Sequence, residues 1–337
     1  MRSLSKKSVL QVFATPDLDS AYQLINHQQH EPPTDRTIME ETKVVQIETD
    51  ETDSKVSQQK DAPTKNLNSN AQETFKKDTP DLRYKMDSSP RGLAMIINNA
   101  AFPNTSGFNP RQGSEVDVRK LSELFEYLGF AVGVQENLSK KQIHAVIQKF
   151  KEKFEEIEVD MCIFCIMTHG SNGNLVDING EEIDAEDDII KEFYNTEALR
   201  GKPKLFLLQY CRGGEMDYGV EETRGLSDTR QQRVEDKFIF TPKLPSVADI
   251  LIANSTVPGF VSHRNLKHGT WFIQCFTKVF QENAVDTDIR EMFDKVSNTL
   301  SNMESKNEDR TKQTFDLISR GFFKKLYFNP TDISKKL

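Results

Sequence analysis

The sequence predicts an α/β fold in which a mostly parallel sheet carries helices on both faces. Short, continuous apolar runs recur along the second three-quarters of the chain. Between most of them lie stretches with apolar residues every three or four positions. Unbroken apolar runs suit strands buried on both sides, and strands alternating with amphipathic helices are the pattern of a parallel sheet.

The elements follow in order, beginning near Tyr84. Gly92–Asn98 reads as a first buried strand, followed by a loop to Gly113 that holds two prolines. Ser114 is expected to cap a helix with apolar positions Val118, Leu121, Phe125 and Leu128, and Gly129 to end it. Ser139 and Gln142 make a capping-box pattern ahead of Ile143, Val146, Ile147, Phe150 and Phe154. Met161–Met167 and Lys204–Gln209 are two further strands, with a helical stretch at Ala185–Tyr194 between them. Arg212–Lys243 lacks periodicity and reads as a long exposed loop, uncommon unless it has a task. Then come a strand at Ala248–Ala253, helices at Trp271–Gln281 and Thr287–Leu300, and a last short strand at Lys325–Phe328. That final apolar strand would offer an unpaired edge to a second copy.

Composition narrows the function. A net charge of -8 argues against general nucleic-acid binding, which wants clustered Lys and Arg. No run approaches the ~18 apolar residues of a membrane span, and the N-terminal apolar stretch is too short and broken for a secretory signal. The four cysteines give no disulfide framework, so a reduced, cytoplasmic chain is expected. Cys162 and Cys165 form a C-x-x-C, but on a strand they face opposite sides, which opposes a zinc or redox pair. Cys275 is expected in a helix core. From Glu31 to Lys60 there are eight acids against four bases and no aromatic residue. Such a stretch cannot offset chain entropy by burial, so residues 1–83 are expected to be a disordered acidic and polar tail.

Two buried strands end in reactive residues, and ligands bind at the carboxyl ends of parallel strands. One ends in Thr168-His169-Gly170, the other in Gln209-Tyr210-Cys211-Arg212-Gly213. A Cys and a His at one sheet edge can form a thiol–imidazole pair for attack on a carbonyl carbon. Taken singly, each has a blander reading, as a small buried hydrophobe or an exposed loop residue.

The surrounding words decide between these readings. Gln209-Tyr-Cys-Arg-Gly213 resembles the caspase nucleophile signature Q-A-C-[RQG]-G, whose His lies ~50 residues upstream. Here His169 lies 42 residues upstream (211 − 169). Thr168-His-Gly-Ser171 resembles the caspase histidine turn. Phe108-Asn-Pro-Arg-Gln-Gly-Ser-Glu-Val-Asp117 is similar to the loop bearing that family's first substrate-binding arginine, and Pro258-Gly-Phe-Val-Ser-His-Arg-Asn265 to the segment bearing the second. Gly269-Thr-Trp-Phe-Ile-Gln274 resembles the helix start that follows. The likeness runs in order from about Tyr84 to Phe328.

The resemblance implies a caspase-like sandwich with a central, mostly parallel six-stranded sheet. It implies large-subunit residues 84–228, a linker at 229–243 and small-subunit residues 244–337. It also implies a cysteine endopeptidase with His169 and Cys211 as catalytic pair and the amides of Gly170 and Cys211 as oxyanion hole. Arg111, Gln209 and Arg264 would line a pocket for aspartate, with Val261, His263, Asn265 and Trp271 near neighbouring subsites. No metal or cofactor is expected. Backbone carbonyls would orient the imidazole. Zymogen activation would use Asp228 in the long loop and Asp53 in the propeptide. Partners would be protein substrates with Asp at the cleaved position, a second copy of the chain, upstream caspases and inhibitor-of-apoptosis-type proteins, with no nucleic acid and no membrane.

The chain departs from the pattern at Tyr210, where alanine is usual, and at His263 and Val261, where Trp and Tyr are frequent. Tyr210 is expected to pack behind the site. A caspase-like decoy that binds without cutting would share this fold, but His169, Cys211, Arg111, Gln209 and Arg264 standing together argue against it. A protease cutting after Lys or Arg would need acids where this chain has arginines.

Overall fold

The computed structural model describes residues 82–219, 245–305 and 310–330. Residues 1–81 of the expected tail, the linker, Asp53 and Asp228 lie outside them, whereas Leu82 and Arg83, expected in the tail, are described, and Arg83 bridges to Lys325. At the centre is a six-stranded sheet. Its strands are β1 (Gly92–Asn98), β2 (Phe130–Glu136), β3 (Met161–Met167), β7 (Lys204–Gln209), β8 (Ile250–Asn254) and β11 (Asp316–Arg320), in spatial order β11-β8-β7-β3-β1-β2. All pairings are parallel except β8 with β11. A small antiparallel sheet, β4 (Gly170–Ser171), β5 (Asn174–Val176) and β6 (Glu182–Ile183), follows β3. A ribbon of β9 (Arg264–Asn265) and β10 (Gly269–Thr270) follows β8.

Alternate residues of the central strands feed two cores. Ala94, Ile96, Ile163, Cys165, Leu205, Leu207, Leu251 and Ala253 pack in one cluster with helices α1 (Ser114–Tyr127), α3 (Trp271–Asn283) and α4 (Ile289–Ser301). On the opposite face, Phe164 and Phe206 meet Phe150 of α2 (Lys140–Glu156) and Phe193 of the next helical turn in a cluster of rings. Burial on both faces explains why β1, β3 and β7 are apolar from end to end. Cys162 and Cys165 are both fully buried, and burial pushes both thiols up.

Several elements differ from expectation. β2 is a strand that its weak, Gly-interrupted pattern concealed. Gly113, not Ser114, is the residue before α1, and Ser114 is its first helical residue, with Oγ accepting from Asn98 Nδ2. Ala185–Tyr194 is a π turn followed by a 3₁₀ turn. Lys325–Phe328 is not a sheet strand. Leu326 and Phe328 are buried as core plugs, and Arg83 and Lys325 make only an isolated bridge. The sheet edge on that side is instead Asp316–Arg320, whose polar sequence hides its role. The capping box at α2 forms in full, with Gln142 N–H donating to Ser139 Oγ and Ser139 N–H to Gln142 Oε1.

Losing that cap should be measurable. Ser139→Ala is expected to cost about 1 kcal/mol and lower the thermal midpoint by roughly 2–4 °C. An unchanged melting curve would show that α2 is held by packing alone.

Candidate active site

Three parallel strands bring their carboxyl ends to one edge of the sheet. Met167 lies opposite Gln209 in the β3–β7 ladder, and Thr168 N–H extends it by donating to Gln209 O at 3.0 Å. His169 and Cys211 each stand two residues beyond these partners. The Gly170 turn is pressed against the Cys211 segment: an ideal Cβ on Gly170 would fall 1.7 Å from Cys211 O. Only glycine allows this approach. Tyr210 is 3% exposed, with its backbone clasped by Ser255 Oγ, which donates to Tyr210 O and accepts from Tyr210 N–H. The ring is buried beside the Gly170 turn rather than standing in the open site.

His169 is held from three sides. Its ring stacks on Phe108 with centroids 5.3 Å apart and meets Phe102 edge-on at 4.9 Å. Its Nε2 lies 2.8 Å from Asn109 O. A carbonyl can only accept, so Nε2 carries the hydrogen and the neutral ring keeps its lone pair on Nδ1. Burial lowers its pKa, Asn109 opposes that shift, and Arg111 and Arg264 add to it. Cys211 is half-buried, and Ser262 N–H points at its Sγ from 3.4 Å.

Two backbone donors near the thiol lack acceptors among the described residues. Val176 N–H donates to His169 O, so the alternation of an antiparallel ladder makes Gly170 and Leu175 a non-bonded pair and leaves the Gly170 N–H free. The Cys211 N–H has none either, although Tyr210 N–H and Arg212 N–H on either side are both bonded.

The arginines form the charged part of the site. Arg111 is 2% exposed. Its Nη1 donates to Asn98 Oδ1 and Asn99 O, both at 3.0 Å, at the carboxyl end of β1. Among the described residues no acceptor takes its Nε or Nη2 hydrogens. Arg264, half-buried on β9, has no side-chain partner among the described residues. The two are near enough that Arg264 joins burial in lowering Arg111 to about 10. Gln209 donates from Nε2 to Ser262 Oγ at 2.8 Å, while its buried Oε1 has no partner among the described residues.

Around them, Val261 N–H pairs with Glu215 O, which ties this segment to the loop after Cys211. His263 stacks on Trp271 with centroids 4.4 Å apart. Trp271 is 9% exposed, so the indole backs His263 and belongs largely to the core. Asn265 spends its Oδ1 on the N–H groups of Lys267 and His268, so only its amide nitrogen is left for a visitor. Among the described residues no three His, Cys, Asp or Glu side chains cluster as metal ligands would.

Asn98, Asn109, Asp117, Ser262, Gln313 and the Phe102–Phe108 pair escaped the sequence reading. Phe108, Asn109 and Asp117 lie in the caspase-like stretch Phe108–Asp117, and Ser262 in Pro258–Asn265. Gln313 carried no signal, yet it ties Ser255 O, Ser262 Oγ and His263 N–H together.

A histidine-selective NMR titration should find His169 losing its proton below the ordinary 6.5. Phe108→Ala, which admits water, should move that midpoint upward. A parent midpoint at or above 6.5 would remove burial as the controlling influence.

Comparison with known proteins agrees in extent with this architecture. A family model described as the caspase domain matches residues 91–327. Caspase-7 of Gallus gallus is 32% identical over 257 residues, 74% of this chain and 81% of that one. Caspase-2 of Gallus gallus is 30% identical over 236 residues, 68% of this chain but only 56% of the longer relative. The crystal structure of caspase-1 from Spodoptera frugiperda superposes with a TM-score of 0.65 at 29% identity, covering 76% of this chain and 96% of that one.

Proposed function

This chain belongs to the caspase family, and from that premise we propose that it is a cysteine endopeptidase cutting after aspartate. One observation carries the reading. Arg111 is buried with two donor nitrogens unclaimed, beside Arg264, which has no acidic partner among the described residues, next to the Cys211 thiol. Planar guanidiniums bind a carboxylate through paired hydrogen bonds. Leaving such cations unpaired costs on the order of 2–5 kcal/mol, or roughly 30- to several-thousand-fold in rate.

The chemistry follows from the placement. His169 Nδ1 takes the thiol proton, and the thiolate attacks the scissile carbonyl carbon. The oxygen's new charge meets the free N–H groups of Gly170 and Cys211. The imidazolium then protonates the departing amine as the C–N bond breaks, leaving a thioester on Cys211. Water, deprotonated by His169, attacks the thioester, and the thiol recovers its proton as the acid leaves. Asn109 O keeps the ring in one tautomer throughout.

Val261 and His263, the latter backed by Trp271, would shape the neighbouring subsites together with the Asn265 amide. We extend the reading to a zymogen cut after Asp53 and Asp228, which would part a fragment holding the large-subunit region 84–228 from one holding the small-subunit region 244–337, acting in cell death in the cytoplasm. Upstream caspases and inhibitor-of-apoptosis-type proteins would be partners. A homodimer would pair through the Asp316–Arg320 edge.

Fluorogenic tetrapeptides varied at the first and fourth positions test this. Only peptides with Asp at the cleaved position should release fluorophore, and Cys211→Ala should release none. Arg111→Gln or Arg264→Gln should lower kcat/KM by about 30-fold or more. Equal turnover of Asn peptides would sink the reading. Gly170→Ala is expected to fall by about 100-fold in kcat, because the added methyl displaces the Cys211 carbonyl and with it the oxyanion donors.

A further inference from the structure

Asp117 takes no part in the chemistry above, yet its carboxylate is 0% exposed and lies close to both arginines. It sits in the first turn of α1, a helix that begins three residues after Arg111. Its two oxygens both accept from Thr270 N–H, at 2.9 and 3.1 Å. Thr270 is the β10 residue paired across the ribbon with Arg264. One side chain therefore joins the segments that carry the two guanidiniums. The room it occupies depends on Gly269, whose φ is +88° and whose ideal Cβ would fall 2.1 Å from Asp117 Oδ1.

The charges point the same way. Burial dominates all three groups, raising Asp117 to about 6, lowering Arg111 to about 10 and lowering Arg264. Against burial, Asp117 is the largest influence favouring the charged form of each arginine. Lys120 and Glu115 on the same helix, Cys165 of β3 and Cys211 also act on this set, and His169 feels both arginines. Asp117 stands outside salt-bridge distance of both guanidiniums and acts on them through space, and among the described residues neither arginine is ion-paired with any other carboxylate.

We infer, resting on the aspartate-directed reading above, that Asp117 is a positioning residue for specificity. Its carboxylate is the resident counter-charge that keeps Arg111 and Arg264 side by side in the empty pocket, and its grip on Thr270 sets where Arg264 stands. Without that charge the two guanidiniums repel, and Arg264, the more exposed, turns to water. The variant also removes a repulsion between Asp117 and an incoming carboxylate. Lost contact hydrogen bonds to a charged group outweigh that repulsion, which the two cations screen.

Asp117→Asn keeps an oxygen for the Thr270 N–H and removes the charge. For Asp tetrapeptides, KM should rise about tenfold while kcat changes less than about threefold. Arg264→Gln should add little further in that background, whereas a purely structural role would make the two costs add. Phenylglyoxal labelling read by mass spectrometry needs no turnover, and Arg264 should be modified at least about threefold faster in Asp117→Asn than in the parent. Should Asp117→Asn fail to fold, carbon-13 titration of Asp117 answers instead: its midpoint should rise in Arg264→Gln, and an unmoved midpoint overturns the inference. If the parent does not cut after aspartate, the functional reading falls while labelling still decides this one. If the parent cuts, but KM, coupling and labelling are unchanged in Asp117→Asn, the inference falls alone.

Discussion

Everything in the site depends on β3 and β7 being neighbours in parallel register. Because Met167 and Gln209 lie level, the two chains leave the sheet at the same height, and two residues later one presents His169 and the other Cys211. The Thr168–Gln209 hydrogen bond carries the ladder one step past the strands, and the bare Gly170 turn then rests on the Cys211 carbonyl. A slip of one residue would turn both sets of side chains to the wrong face. The apolar contacts on both faces of these strands therefore set the geometry of the reactive groups as well as the stability of the core.

The arginine pair adds a second demand of opposite character. Bringing two cations together away from water is unfavourable in itself, and hydrogen bonds to Asn98 and Asn99 offset only part of it for Arg111. Among the described residues the one buried carboxylate acting on both, Asp117, lies outside contact distance, so both guanidiniums keep donor groups open beside the thiol. On the aspartate-directed reading proposed above, stability given up there would become selectivity when a carboxylate arrives, rejecting an isosteric amide far more strongly than a size filter could.

Much of this was legible in the residues. The strands β1, β3 and β7 were plain because burial on both faces demands unbroken apolar runs, and the capping box of α2 was plain because its chemistry is local. The six candidate residues with side chains or amides at the reactive edge, His169, Gly170, Cys211, Arg111, Gln209 and Arg264, stood in recognisable words. What was hidden was hidden for physical reasons. β2 holds a glycine and an exposed end, so its pattern was weak. β11 is a polar edge strand, while the apolar Lys325–Phe328 advertised a strand and proved to be a plug. Asn109 acts through a backbone carbonyl, which no side-chain pattern can announce. Ser262 and Gln313 matter only because distant segments fold onto Cys211 and His263.

The two phenylalanines flanking His169 have a kinetic meaning. With Phe108 lying against one face, Phe102 meeting the ring edge-on and Asn109 holding Nε2, the imidazole is fixed in a single orientation. In the proposed mechanism a ring held this way would pass its proton along one path, from sulfur toward a departing nitrogen, with the aromatic walls lending the transfer its direction.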